Sequence, residues 1–166
     1  SFTTLRFGTD TEEYADQLAR IGPVRYASYL GPASRKNPFG GYGFYAVHSV
    51  ELMLQFHGID VVSVHAVEHP RDAERSNTVA TCRYADGTTV TLGLVGDGVY
   101  HFRMTAIGRD GIVDLARGMG SASVDAASFA KAQGRPSPVL DREAAVRRES
   151  DHYPAGVRRI LAALRG

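Results

Sequence analysis

Residues Gly40 to Glu51 read GGYGFYAVHSVE, and they hold the residue types best suited to chemistry in this chain. His48 and Glu51 stand three residues apart on a segment that is otherwise apolar. On a helix that spacing brings their side chains onto one face. An imidazole near its ordinary pKa can accept or release a proton at neutral pH, and a carboxylate one turn away can orient it or shift its titration. The same pair can also be structural, a His and a Glu satisfying each other inside a core. Spacing alone leaves both readings open. Just upstream, Arg35-Lys36-Asn37-Pro38-Phe39 places cationic and amide groups before the same helix. Such groups suit a hydroxylated or anionic small molecule, and they equally suit a surface loop.

Other chemistries find less support. The histidines His48, His57, His65, His69 and His101 are scattered, with no cysteine partner, so metal ligation is disfavoured. No GxSxG elbow supports a nucleophilic serine. Gly118-Met119-Gly120-Ser121-Ala122-Ser123 falls one residue short of GxGxxG, a dinucleotide fingerprint. Too few residues follow it to build a nucleotide-binding sheet, so it is expected to be a small-residue turn before a helix. Cys82 is the only cysteine and sits in a strand-like run, where a small buried hydrophobe is expected. One thiol forms no internal disulfide, which fits a reducing, cytoplasmic compartment.

Positioning His48 requires a scaffold, and the periodicities outline one. Thr11 to Ile21 has helical spacing and stops at Gly22-Pro23. Val24 to Leu30 alternates as a strand. Gly31 to Gly43 carries two prolines and several glycines and reads as a loop. Phe44 to His57 reads as a helix ended by Gly58, with Phe44, His48, Glu51 and Gln55 on one stripe. From Val61 the period changes to two. Val61 to Val67, Val79 to Tyr84, Thr88 to Val95 and Tyr100 to Ile107 are predicted strands, and Asp86-Gly87 is a strong hairpin signal. His69 to Ser76 is a charged loop, and Ile112 to Leu115 is a short fifth strand of this series. Beyond Ala116, helices are predicted over Val124 to Gln133, Arg142 to Glu149 and Ala155 to Leu164, with a break near Tyr153-Pro154.

This order predicts an α+β fold, an open and mostly antiparallel sheet with helices packed on one face. It is read as one domain over residues 1–166, with a core at about 23–115 and a helical tail at about 121–166. The predicted helix-facing residues are Val62, Val64, Ala66, Ala80, Cys82, Tyr84, Val90, Leu92, Leu94, Phe102, Met104 and Ala106. The opposite face is rich in threonine and is either solvated or covered by a second copy. At 166 residues and 43% hydrophobic, the chain can bury a core without disulfides or metal. A net charge of +1 argues against charge-driven binding to nucleic acid or membrane surfaces, and no apolar run has membrane length. The chain starts at Ser1 without Met, as a piece of a longer polypeptide would.

The run GGYGFYAVHSVELM, followed by GIDVVSVHA and NTVATCRYADGTTVTL, resembles the C-terminal half of the Gfo/Idh/MocA oxidoreductases. The likeness spans about Pro23 to Leu115, and GRPSPVLDREAA (Gly134 to Ala145) also fits. The resemblance implies a substrate-binding and oligomerisation domain, paired in the parent protein with a Rossmann domain that binds NAD or NADP. It implies that His48 handles the proton of a sugar-like or polyol-like hydroxyl, with Asn37, Tyr45 and Glu51 lining the substrate pocket. It implies that this chain holds no cofactor itself and that the threonine-rich face meets another copy. The family pattern has an aspartate four residues before the histidine, where this chain has Phe44. The alternative is a non-catalytic ligand-binding or scaffold module of the same fold.

Overall fold

The computed structural model describes residues 4–70, 72, 76–96, 100–118, 121–130, 139–148 and 152–165. A 3-10 turn over Thr4–Phe7 leads into helix α1, Thr9–Arg20, and strand β1, Val24–Ala33. Helix α2, Gly43–His57, follows the glycine-rich loop. Strands β2 (Val61–Pro70), β3 (Ser76–Tyr84), β4 (Thr89–Gly96), β5 (His101–Gly108), β6 (Gly111–Gly118), β7 (Ser121–Ala130) and β8 (Val139–Arg148) come next, and helix α3, His152–Arg165, closes the described chain.

The eight strands form one open sheet in the order β2-β3-β4-β1-β5-β6-β7-β8. Every pairing is antiparallel except that of β1 with β4. The fold is therefore α+β with a mostly antiparallel sheet, as the periodicities predict. β1 enters centrally because its alternation buries Ala27 and Tyr29 on the helix side, and a strand with neighbours on both edges satisfies all its backbone groups. Helix α2 packs on β1 and β4, α1 packs on β6 and β7, and α3 packs on the 3-10 turn. The core holds Leu5, Tyr14 and Ile21 from the N-terminal segment, Leu52 and Met53 from α2, and Cys82, Val90, Phe102, Met104, Val113, Leu115 and Val124 from the sheet.

Three expectations are corrected. The helices expected over Val124 to Gln133 and Arg142 to Glu149 are strands β7 and β8. Alanine and charged residues favour helix locally, but β6 presents an unpaired edge, and β7 fills it with Ala122 and Val124 buried on the helix side. Ladder pairing and one-sided burial outweigh a weak intrinsic propensity. Gln133 and Glu149 lie outside the described residues, as does most of the expected loop between His69 and Ser76. Secondly, Val62, Val64 and Ala66 are exposed, because β2 is the outer edge of the sheet and α2 packs mainly on β1 and β4. Lastly, Pro154 lies within the first turn of α3 and does not mark a break before it. Proline is tolerated there because an early helical N–H has no partner to lose.

One glycine sets the distance between α2 and the sheet. A Cβ on Gly31 of β1 would lie 2.6 Å from Ser49 Oγ of α2 and 2.9 Å from the Phe102 ring. Gly31→Ala must push the helix off the sheet or displace Phe102. The expected cost is about 1–3 kcal/mol, the usual range for overpacking, read as a lowered urea midpoint at unchanged m-value.

Candidate functional site

Helix α2 starts at Gly43 and stops where Gly58 takes φ +78° and its N–H bonds Leu54 O at 3.0 Å. It buries Ala46, Ser49, Leu52 and Met53 against the sheet. His48 projects from the flank of this buried stripe and is half-buried. Its ring lies 5.8 Å from Phe102 of β5 and 6.5 Å from Phe44, one turn earlier on the same helix. Phe44 contacts Tyr45 at 5.0 Å, Tyr45 contacts Tyr100 at 5.7 Å, and Tyr100 contacts Phe102 at 5.3 Å. Five rings thus close a circuit, Phe44–His48–Phe102–Tyr100–Tyr45, with buried Phe102 as its floor.

This setting fixes the charge state of His48. Burial pulls its pKa below the ordinary 6.5, Glu51 partly opposes that, and the Arg117 guanidinium reinforces it. The imidazole is therefore neutral at pH 7 and can accept a proton. Arg117 reaches this neighbourhood because β6 pairs Arg117 with Phe102 across the sheet. Its guanidinium is buried, donating to Asp10 Oδ2 at 2.5 Å, Thr11 Oγ1 at 2.5 Å and Leu5 O at 3.0 Å.

The structure brings together His48 and Tyr45, and the charge of Glu51 acts on His48 from one turn along the helix. Asn37 stands one step removed. Its Oδ1 accepts the Phe39 N–H at 2.9 Å, and its backbone oxygen accepts the Gly41 N–H at 2.8 Å. That turn seats the Phe39 ring 5.8 Å from Phe44. The loop is held at both ends, by an ion pair between Arg35 and Glu68 of β2 and by Tyr42 Oη donating to Thr78 Oγ1 of β3 at 2.6 Å.

Tyr100, Phe102 and Arg117 were missed as neighbours of His48 in the sequence reading. Alternation assigned Phe102 to the core, and nothing local signals that β5 passes beneath α2. His57 belongs elsewhere: its Nε2 lies 2.9 Å from the Tyr29 hydroxyl at the far end of α2. Burial lowers its pKa as well, against a smaller opposing effect of Asp86.

Both histidines therefore bind protons less readily folded than unfolded. Their contribution to stability is present above about pH 6.5 and is lost as pH falls through their folded values. Urea midpoints are expected to drop on acidification through this window, with the two imidazole C–H resonances titrating below 6.5.

Among the described residues no group of three or more His, Cys, Asp or Glu is placed to hold a metal. Gly118 ends a strand and Ser121 begins another, so no helix N-terminus follows that near-fingerprint to receive a pyrophosphate. Two cavities of about 360 and 420 Å³ lie along α1, the first shared with α3, and neither is lined by His48. No helix of the described residues is long and apolar enough to cross a membrane.

No protein-family profile matches the chain, and no curated protein matches it by sequence. Solved structures do match. UDP-N-acetylglucosamine 3-dehydrogenase GnnA from Acidithiobacillus ferrooxidans aligns over 97% of this chain and 52% of its own, with TM-score 0.74 and 17% identity. KijD10, a 3-ketoreductase from Actinomadura kijaniata in complex with NADP, aligns over 97% and 50%, with TM-score 0.68 and 18% identity. A dehydrogenase from Chromobacterium violaceum aligns over 88% and 44%, with TM-score 0.65 and 14% identity. The chain spans about half the length of each. With the eight-stranded sheet of its described residues and the helices that cover it, the chain has the fold of the C-terminal domain of the Gfo/Idh/MocA-type oxidoreductases.

Proposed function

We propose that this chain is the substrate-binding and oligomerisation domain of an NAD(P)-dependent oxidoreductase acting on a sugar-like or polyol-like substrate. The cofactor domain would lie in the remainder of a longer polypeptide. The observation that carries this reading is the alignment of nearly the whole chain with about half of GnnA and of KijD10. GnnA is named for a nucleotide-linked sugar, and KijD10 has been crystallised with TDP-benzene and NADP. His48 is the proposed catalytic residue. In the oxidation direction its neutral imidazole would take up the proton of the substrate hydroxyl, and a nicotinamide held by the cofactor domain would supply the hydride acceptor. Asn37, Tyr45 and Glu51 are the proposed substrate-lining residues.

The open sheet face is the proposed contact with a second copy. Leu30, Val67 and Val79 are exposed there around Gly93, in cross-strand register. Exposed apolar residues on a broad flat face suit a two-fold interface.

The test is nicotinamide consumption by the product of the complete reading frame, offered keto sugars. Oxidation of NADH or NADPH is expected. A complete product that binds neither nucleotide sinks the reading. One observation favours the scaffold alternative: Phe44 occupies the place where the resembling family has its aspartate, so the preceding turn of α2 offers His48 no carboxylate. Under that alternative the complete product binds sugar without turnover.

A further inference from the structure

We propose that Tyr29 is a proton-linked switch: its hydroxyl donates to His57 Nε2 while that imidazole is neutral, and turns to donate to Tyr14 once the imidazole is protonated. The three side chains join strand β1 to the two helices α1 and α2. Tyr29 stands within β1, and its Oη lies 2.9 Å from Nε2 of His57, the last residue of α2. Tyr14 of α1 packs its ring edge-on against Phe56 of α2, with centroids 5.0 Å apart. Tyr14 and Tyr29 are 0% and 1% exposed, so neither hydroxyl can turn to bulk water. The Tyr14 hydroxyl has no hydrogen-bond partner among the described residues, and Tyr29 is the phenol beside it.

An unpartnered buried hydroxyl is costly and calls for a reason. Tyr29 can send its one proton to one acceptor at a time. With His57 neutral, Nε2 takes it, so the ring carries its own hydrogen on Nδ1 and Tyr14 is left without a bond. With His57 charged, Nε2 becomes a donor and its hydrogen meets the Tyr29 oxygen. The Tyr29 proton must then leave that line, and Tyr14 Oη is the unengaged acceptor beside it. Closing the remaining gap draws α1 toward β1. Burial holds both phenols far from ionisation, so the added proton stays on His57 and only the Tyr29 hydroxyl turns. The groups that face His57 are Tyr29 from β1, Tyr84 from β3 with ring centroids 5.9 Å apart, and Asp86 from the turn before β4. Tyr84 Oη is already engaged, donating to Gly58 O at 3.4 Å. Asp86 and the carbonyl end of α2 favour the cation, and burial opposes it. Asp114 of β6 acts on Tyr14 and disfavours its phenolate. Charge at the end of α2 is thereby converted into a new bond between β1 and α1.

The test is Tyr14→Phe in the complete protein, which removes the second acceptor and keeps the ring. At about pH 8 its urea midpoint should equal or exceed that of the unsubstituted protein, because an unpartnered hydroxyl is lost. At about pH 5 the order should reverse, the folding equilibrium falling by up to about tenfold as His57 takes its proton, the worth of one hydrogen bond. The His57 signal of protein labelled with 13C-histidine is the one that His57→Gln removes. In Tyr14→Phe that signal should report a proton released about two- to tenfold more readily, although no hydrogen bond joins Tyr14 to His57. Long-range nitrogen–proton correlation should place the hydrogen of the neutral ring on Nδ1. In a His57→Gln background, Tyr14→Phe should have the same effect at both pH values. Far-UV circular dichroism checks that each variant is folded. A stability difference between Tyr14→Phe and the unsubstituted protein that does not change with pH overturns the switch, as does a neutral His57 ring protonated on Nε2. A His57 titration moved by Tyr84→Phe and not by Tyr14→Phe overturns Tyr14 as the acceptor.

Discussion

Asp10→Ala is expected to destabilise the protein by about 3–5 kcal/mol, the range for breaking one side of a buried ion pair. Asp10 stands in the first turn of α1, buried, with Arg117 of β6 against it. The pair joins the N-terminal segment to the sheet across more than a hundred residues of sequence. Removing the carboxylate leaves a guanidinium that cannot shed its charge, with only Thr11 Oγ1 and Leu5 O for company. It also deletes a carboxylate near the positive end of the helix dipole, a smaller loss of about 0.3–1 kcal/mol. The double variant Asp10→Leu with Arg117→Met should recover most of the loss, because apolar groups of similar size replace a costly desolvated pair. Urea unfolding of the single and double variants reads both results. A double variant as unstable as Asp10→Ala would mean that shape, not charge, is at stake there.

On the proposed function, His48→Asn is expected to lower turnover by the complete protein about 10²- to 10⁴-fold, the range for a lost general acid or base. That corresponds to about 3–5.5 kcal/mol of barrier. Asparagine keeps a polar side chain of similar reach but cannot take up a proton. Stability should change little, since His48 is half-buried on the flank of α2 and the helix seats itself through Ala46, Ser49, Leu52 and Met53. The pH profile of the unsubstituted enzyme supplies a second check. His48 titrates below 6.5, so activity in the oxidation direction should fall on the acid side of that value and be flat above it. A turnover that survives His48→Asn with an unchanged acid limb would move the proton chemistry to another group.

The legible parts of this fold are those where one physical rule dominates. Helix α2 and its stop at Gly58 follow from an apolar run and a left-handed glycine. Strands β3 to β5 follow from alternation and the Asp86-Gly87 turn. β7 and β8 were misread because their composition is helical while their conformation is set by a neighbouring edge. Edge pairing is a nonlocal term that local spacing does not carry. The exposure of Val64 has the same origin: its alternation is correct, but which strand ends the sheet is decided by topology, while Val62 sits at a register shift of β2 that turns Val61 toward the core.

The site divides likewise. His48, Tyr45 and Glu51 share one helix, so their proximity was readable from number alone. Asn37 was singled out as a pocket residue, and the fold uses its side chain to shape the turn that carries Phe39. Phe102 meets the His48 ring from β5, and Arg117 acts on His48 from β6, where it pairs with Phe102; no local pattern announces either.

On the proposed function, this chain supplies the substrate side of a hydride-transfer cleft. The most direct test of that reading supplies the parent polypeptide with nicotinamide deuterated at the transferable position and a keto pyranoside. Deuterium is expected to appear on the carbinol carbon of the product sugar, and His48→Asn should suppress it while leaving nucleotide binding intact. Nucleotide and sugar both bound, with no deuterium in the sugar, would contradict the account.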